Sequence, residues 1–314
     1  ASQTPAIGQA VYDLFNSVHL PNGVLNFVPG PGSDIGDALV TDKDIAFTVF
    51  TGSKAVGLGI IEKSGRTPDG ARQVKNVIAE MGGKNAIIVD SDADIDAAIW
   101  PIVQSAFSYM GQKCSAASRA YIPESLWPQT RELLESTIKG IKMGPPEDFT
   151  NFFNAVIDES SFDKLAGFID RAKEDKDAEV IIGGGYDKSE GFFIEPTVIL
   201  TTDPHYITME EELFGPVLTI YVYEDNKVDE TLDILNDTSV YALTGAIFAQ
   251  DRYAIEHLSK KLVDCAGNFY INDKPTGAVV GQQPFGGGRA SGTNDKAGGP
   301  FNLQRWLTPR TIKE

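Results

Sequence analysis

The sequence has two cysteines, and one of them, Cys114, lies in a setting that favours nucleophilic chemistry. It follows an apolar segment, with Gly111 three positions before it and Lys113 beside it. A neighbouring cation favours the thiolate, which is the reactive form of cysteine. Because free cysteines are often simply buried, a structural role is the alternative. Cys265 falls late in a predicted amphipathic helix and is interpreted as structural.

Glu80 ends an apolar segment and is followed by Met81, Gly82 and Gly83. Residues 74–80 are predicted to form a strand, and ligands of parallel α/β sheets gather at the carboxyl ends of strands. This position makes Glu80 a candidate site residue. A solvated glutamate in a turn is the alternative.

Two other segments could contact a ligand. Phe50-Thr51-Gly52-Ser53 connects a predicted strand to a predicted helix, where backbone N–H groups can bind a pyrophosphate. An ordinary helix N-cap is the alternative. Residues 276–287 are polar and rich in glycine, and connections of this length are usually functional. A flexible surface connection is the alternative there.

The composition excludes several classes of protein. With 44 acidic and 27 basic side chains, the net charge is −17, which disfavours binding to nucleic acid. Two distant cysteines and three histidines favour a reducing compartment and give no support for a metal site. No run of 18 apolar residues and no signal peptide are visible, so neither membrane insertion nor secretion is expected.

The order of segments predicts an α/β fold with a parallel sheet and helices on both faces. Helices are predicted at residues 4–18, 35–40, 51–61, 95–109, 125–139, 161–173, 228–235 and 253–262. Strands are predicted at residues 24–28, 45–50, 74–80, 86–90, 119–122, 180–182, 216–223, 244–248 and 268–271.

Several motifs, in this order, resemble the aldehyde dehydrogenase superfamily. The family's glutamate–glycine–glycine motif is similar to Glu80-Met81-Gly82-Gly83-Lys84, its nucleophile motif to Gly111-Gln112-Lys113-Cys114, and its ribose-contacting segment to Glu212-Leu213-Phe214-Gly215-Pro216. Residues 268–274, 277–287 and 291–296, together with Ser105-Ala106-Phe107, resemble the 1-pyrroline-5-carboxylate dehydrogenase branch.

The resemblance implies a partial Rossmann-type cofactor domain followed by an α/β catalytic domain. On this basis residues 1–83 are the C-terminal part of an NAD-binding domain, 84–295 the catalytic domain, and 296–314 a C-terminal extension. It also implies that the chain lacks the family's N-terminal part, and that complete members form homo-oligomers.

The resemblance assigns roles to individual residues. Cys114 is the nucleophile and Glu80 the general base of an NAD-dependent oxidation of L-glutamate 5-semialdehyde to L-glutamate in proline catabolism, through a thiohemiacetal and a thioester. The cofactor contacts are Gly32, Ser33, Phe50, Thr51, Gly52, Ser53, Met81, Gly82, Glu212 and Phe214. The substrate contacts are Lys113, Ser115, Gly277, Ala278 and Phe285.

Two other functions stay open. The chain could be a non-catalytic remnant of an aldehyde dehydrogenase, or a thiol esterase that uses Cys114 and Glu80 without hydride transfer. The choice between NAD and NADP is also open, since much of the adenosine-binding half is missing. The expected compartment is the bacterial cytoplasm or the mitochondrial matrix.

Overall fold

The computed structural model describes residues 3–279 and 281–314, which divide into two compact units. The first unit contains the described residues up to Phe50 together with Ala55–Ile78. The second contains Thr51–Lys54 and Ala79–Glu314. The functional domains expected at 1–83, 84–295 and 296–314 stay a prediction, because compactness alone assigns no function to a segment.

The chain forms helices and strands in alternation. The helices are α1 (Pro5–Ser17), α2 (Gly32–Thr41), α3 (Lys54–Ser64), α4 (Ile95–Phe107), α5 (Trp127–Lys139), α6 (Glu159–Glu174), α7 (Ile207–Glu210), α8 (Val228–Asp237), α9 (Arg252–Lys261) and α10 (Pro300–Arg305). Two short 3₁₀ helices lie at Ser108–Gly111 and Asp225–Lys227.

The strands are β1 (Phe47–Thr51), β2 (Asn76–Glu80), β3 (Asn85–Val89), β4 (Ala117–Pro123), β5 (Ala178–Ile182), β6 (Tyr186–Asp187), β7 (Phe193–Ile194), β8 (Thr197–Thr201), β9 (Val217–Tyr223), β10 (Tyr241–Ala242), β11 (Thr244–Phe248), β12 (Asn268–Ile271) and β13 (Gly288–Arg289). Most lie within a few residues of their predicted positions.

The first unit contains α1, α2 and most of α3, with the main parts of β1 and β2, which pair as a two-stranded sheet. The predicted strand at residues 24–28 is wrong: this segment has irregular backbone, and Val24 and Val28 are 65% and 60% exposed. A strand needs a hydrogen-bonded neighbour. Here the Val24 N–H donates to the Pro21 carbonyl in a turn, and Phe27 instead packs against Tyr12 of α1.

The second unit is built on a seven-stranded sheet with the order β12-β11-β3-β4-β9-β8-β5. Its first six strands are parallel, which confirms the predicted parallel sheet. The edge strand β5 is antiparallel to β8, so the sheet is mixed. Neither β8 nor this reversal was predicted.

Helices cover both faces of this sheet, as predicted. Ile87 and Val89 of β3 pack with α4 and α5, whereas Ala86 and Ile88 of the same strand pack with α8 and α9. The period-two alternation of a strand sends successive side chains to opposite faces, so a strand buried on both faces is apolar throughout. Helix α6 covers the β8–β5 edge in a third cluster. In the described part of the chain, none of the helices is both long and apolar enough to cross a membrane.

Candidate active site

The segment that carries Cys114 begins where α4 stops. Helix α4 ends at Phe107, two residues before its predicted end, because Tyr109 and Met110 adopt left-handed backbone with φ 58°. Gly111 continues the turn at φ +62°, and a Cβ there would lie 2.3 Å from the Gly215 carbonyl oxygen. Glycine is therefore required both by the backbone conformation and by the close approach of residue 215.

The buried side chain of Asn85 holds this segment in place. Its Nδ2 donates to the carbonyl oxygens of Cys114 and Ala116, both at 2.7 Å, and its Oδ1 accepts from the Thr244 N–H at 3.0 Å. The β3–β4 register shifts between Asn85 and Ala86. The nucleophile segment is thereby bonded to β3 and β11 together.

The Cys114 thiol is half-buried, and burial is the main cause that raises its pKa above the ordinary value. The carboxylates of Glu212 and Glu80 raise it further, while the backbone N–H groups of Ser115 and of Cys114 itself lower it. The expectation that Lys113 favours the thiolate stays a prediction. Lys113 Nζ donates to Ser108 Oγ at 3.4 Å and lies over the Tyr109 ring.

Glu80 is the last residue of β2, as predicted, and the segment 291–293 runs beside it. The Met81 N–H donates to the Ser291 carbonyl at 2.8 Å, and Glu80 forms a bridge with Gly292. A Cβ on Gly292 would lie 2.4 Å from the Ala79 carbonyl oxygen, so the two backbones are in direct contact. This pairing places the Glu80 side chain rigidly at the end of its strand.

The Glu80 carboxyl group is unusual in its surroundings. Both of its oxygens are buried, and within the described residues neither has a hydrogen-bond partner. Burial raises its pKa from 4.5 to about 7; Asp295 raises it and Lys296 lowers it. A carboxyl group of this pKa exchanges protons near neutral pH, as a general base must. Glu80 also raises the pKa of the Cys114 thiol, so the two predicted catalytic residues lie close enough to interact electrostatically.

Glu212 meets the glycines that follow Glu80. Its Oε1 accepts from the Gly83 N–H at 2.8 Å, and a Cβ on Gly82 would lie 2.2 Å from Oε2. Lys164 holds this segment by donating to the carbonyls of Glu212 and Leu213. Phe214, next along, is 42% exposed in left-handed backbone. Met81, Gly82, Glu212 and Phe214 thus border the Cys114–Glu80 site.

The other predicted cofactor contacts are distributed between the two units. Gly32 and Ser33 begin α2 and Phe50 lies in β1, all in the first unit. Thr51, Gly52 and Ser53 belong to the second unit and lead into α3. The Gly52 N–H donates to the Glu80 carbonyl at 3.0 Å, so this donor is engaged rather than free for a pyrophosphate.

The predicted substrate contacts are also in the second unit. Ser115 follows the nucleophile, and its carbonyl accepts from Thr244 Oγ1. Phe285 is half-buried and pairs with Ala297 in both directions. The Gly277 N–H donates to the Lys274 carbonyl at 3.0 Å, which corrects the expectation that it is a bare donor for a substrate. Ala278 is exposed, and Val280 of this loop lies outside the described residues.

Known proteins resemble this chain in sequence and in fold. Residues 1–312 match the sequence profile of the aldehyde dehydrogenase family. The chain belongs to the aldehyde dehydrogenase family. It is 51% identical over 306 residues to a mitochondrial delta-1-pyrroline-5-carboxylate dehydrogenase of Dictyostelium discoideum, covering 97% of this chain and 55% of that protein. The chain therefore spans about half the length of this relative.

Two solved structures with bound NAD are similar to this aldehyde dehydrogenase chain. The 1-pyrroline-5-carboxylate dehydrogenase from Thermus has a TM-score of 0.90 at 37% identity, over 97% of this chain and 57% of that one. The Delta-pyrroline-5-carboxylate dehydrogenase from Mycobacterium tuberculosis has a TM-score of 0.88 at 41% identity, over 97% and 56%. The resemblance seen in the motifs is confirmed.

Sequence reasoning missed the polar residues that support the aldehyde dehydrogenase site. Lys84 is 3% exposed, and burial, followed by Arg119, lowers its pKa to about 7, while Glu212 raises it. Arg119 in turn donates from Nε to the Lys84 carbonyl at 3.0 Å. The available signal was a charged residue directly before the all-buried strand β3. Among the described residues no cluster of His, Cys, Asp and Glu could hold a metal ion.

Proposed function

We propose that the protein oxidises L-glutamate 5-semialdehyde to L-glutamate with NAD. The observation that carries the proposal is that the half-buried thiol of Cys114 lies within electrostatic reach of the Glu80 carboxyl group, whose pKa is about 7. An aldehyde releases hydride only after its carbon becomes tetrahedral, and a thiolate can make it so. A base beside that thiol can then activate the water that completes the reaction.

The first half of the reaction uses Cys114. Its thiolate sulfur bonds to the aldehyde carbon, and the carbonyl oxygen takes the negative charge. The backbone N–H of Cys114 is the donor proposed for this oxyanion, and such donors contribute most when they are fixed in advance. The Asn85 side chain supplies that fixation by holding the carbonyls on either side of Ser115. Loss of hydride from the same carbon leaves a thioester on Cys114.

The second half uses Glu80. Its ionised carboxylate takes a proton from water as the water oxygen bonds to the thioester carbon. The carbon–sulfur bond then breaks, which releases the carboxylic acid and restores the thiolate. Because both carboxylate oxygens are buried without partners among the described residues, neither is committed to another bond when water arrives.

The residues beside the site are suited to the cofactor. When bound, NAD accepts the hydride. Glu212 is proposed to accept from a ribose hydroxyl, because a carboxylate has about four lone-pair sites and Gly83 uses one of them. Because Gly82 has no side chain, the Glu212 carboxylate can lie this close to the backbone. The NAD-bound relatives from Thermus and Mycobacterium tuberculosis support NAD as the nucleotide.

The proposed substrate carries an amino-acid carboxylate far from its aldehyde. The Ser115 hydroxyl and the Ala278 N–H are the proposed donors for this carboxylate, with Phe285 against the aliphatic part of the substrate. Lys113 adds positive charge on the same segment. Relatives named for this activity support the substrate. The proposed compartment for this activity is the bacterial cytoplasm or the mitochondrial matrix. The proposed assembly is a homo-oligomer.

The test compares the two cysteines in the full-length gene product. Both thiols are half-buried with raised pKa values, so Cys265→Ala is a matched control for Cys114→Ala. Formation of NADH from glutamate semialdehyde should fall by about 10³-fold or more in Cys114→Ala and stay nearly unchanged in Cys265→Ala. Equal losses would contradict the assignment. Ester hydrolysis without NAD, as the sole activity, would point instead to a thiol esterase.

A further inference from the structure

Lys296 ties together two segments beside the proposed base. Its Nζ donates to the Gly267 carbonyl at 2.6 Å and to the Gly286 carbonyl at 2.9 Å. These bonds connect the turn before β12 with the end of the 276–287 loop. Asn294 and Lys296 both have left-handed backbone, φ 55°, which non-glycine residues adopt only when their surroundings enforce it.

Gly286 transmits this contact to Glu80. A Cβ at Gly286 would lie 3.2 Å from Glu80 Oε1 and 3.3 Å from Asn294 Oδ1, so the Gly286 backbone packs directly on the carboxyl group. Its N–H is held by Asn268 Oδ1 at 3.1 Å. Lys296 therefore hydrogen-bonds to the same backbone segment that contacts the Glu80 carboxyl group.

The charges around Glu80 come from two elements of the second unit. Segment 285–297 supplies Asp295 and Lys296, which act on Glu80 with opposite signs, and the nucleophile segment supplies the Cys114 thiol. Asp295 is itself restrained, since its Oδ1 pairs with Arg305 at 3.0 Å and its Oδ2 accepts from the Thr293 hydroxyl. Two adjacent residues of opposite charge thus act on one buried carboxyl group.

We propose that Lys296 is a positioning residue for the general base: it holds the Gly286 backbone against Glu80 and supplies the positive charge that favours the ionised carboxylate, while Asp295 opposes it. The inference rests on the proposed role of Glu80. Neither residue touches the reacting atoms. Burial raises the pKa of Glu80 most, and these two charges then shift it in opposite directions.

Two isosteric substitutions should move this pH in opposite directions. Lys296→Met removes the cation, so the pKa of Glu80 rises and less carboxylate is available on the acid side. Asp295→Asn removes the anion, so the pKa falls. About one pH unit below the original midpoint, thioester hydrolysis should slow about threefold in Lys296→Met, which corresponds to a midpoint shift of about half a pH unit. It should accelerate in Asp295→Asn.

The experiment uses the full-length gene product and two readouts. Rapid-quench kinetics give the pH profile of thioester hydrolysis, and infrared difference spectra against Glu80→Gln give the protonation of Glu80 without turnover. Lys260→Met, which removes an exposed lysine paired with Glu256, is the control and should leave both profiles unchanged.

The two readouts separate this inference from the proposed function. Opposite shifts of the infrared midpoint in Lys296→Met and Asp295→Asn support the inference even if no aldehyde is oxidised, in which case the function itself has failed. The inference is overturned if the infrared midpoints of both variants equal that of the parent protein, or if both move in the same direction. A general loss of stability cannot produce shifts of opposite sign.

Discussion

Replacing Asn85 with alanine should weaken both the fold and the control of the thiol. The side chain is 2% exposed and makes three hydrogen bonds, to the carbonyls of Cys114 and Ala116 and from the Thr244 N–H. A buried hydrogen bond contributes about 0.5–1.5 kcal/mol net, so the loss of three should lower the free energy of unfolding by about 2–4 kcal/mol. Because the Cys114 and Ala116 carbonyls and the Thr244 N–H would be left without these partners, we expect a loss near the upper end of this range.

Urea denaturation and alkylation with iodoacetamide measure the two effects. Once released, the Cys114 segment should expose its thiol, and because burial is the main cause of the raised pKa, alkylation should become faster. Cys265 in the same molecules is the internal reference. Asn272→Gly is the matched control: Asn272 makes two comparable bonds to the backbone of Ala249, and its φ of 53° suits glycine.

The reasoning fails if folded Asn85→Ala protein alkylates Cys114 at the original rate, since the anchor would then have no influence on the thiol. It also fails if Asn272→Gly accelerates Cys114 as much, because loss of stability alone would then explain the effect. Asn85→Asp should be no rescue, as a carboxylate oxygen would face the two carbonyl oxygens that now accept from the amide.

Three other variants test the site. In Glu80→Gln, a burst of NADH should precede slow turnover. In the parent protein, thioester hydrolysis should rise with pH around 7, because only the ionised carboxylate is a base, and this rise should disappear in the variant. If the first hydride transfer slows as much as turnover does, Glu80 is not the general base. Ser115→Ala should lower kcat/KM for glutamate semialdehyde by an amount equivalent to about 1–3 kcal/mol of transition-state stabilisation, but should barely change kcat/KM for propanal. Equal losses for the two aldehydes would mean that Ser115 does not contact the substrate carboxylate. Gly111→Ala should lower the melting temperature more than Gly298→Ala, since both have positive φ but only the first would clash; equal losses of about 1–2 kcal/mol would mean that backbone strain alone decides.

Most of the fold could be predicted because apolar runs and alternating patterns are local features of the sequence. Residues 244–248 and 268–271 were assigned with their observed bounds. Prediction was wrong at 24–28, where an apolar run has no hydrogen-bonded neighbour, and missed β8 and the reversal of β5. Pairing between strands is a property of the sheet, and no single strand encodes its direction.

The site could be predicted where a motif places a functional group directly. Glu80 and Cys114 could be named because a strand end and a glycine turn are local features, and their catalytic roles stay predictions. The supporting residues were not found. Asn85 and Lys296 act through carbonyl groups that are distant in sequence, and a hydrogen bond to a backbone carbonyl leaves no mark on the residue that accepts it.

The link between Asn85 and Thr244 spans 159 residues, and this separation orders events during synthesis. Strand β3 lies between β4 and β11, so a growing chain that has not yet produced β11 leaves one edge of β3 unpaired. At that stage Cys114 has been made, but the Asn85 amide still lacks its third partner, the Thr244 N–H. Contacts of such long range form late in folding. The anchor of the Cys114 segment is therefore complete only after β11 has been synthesised and has joined the sheet.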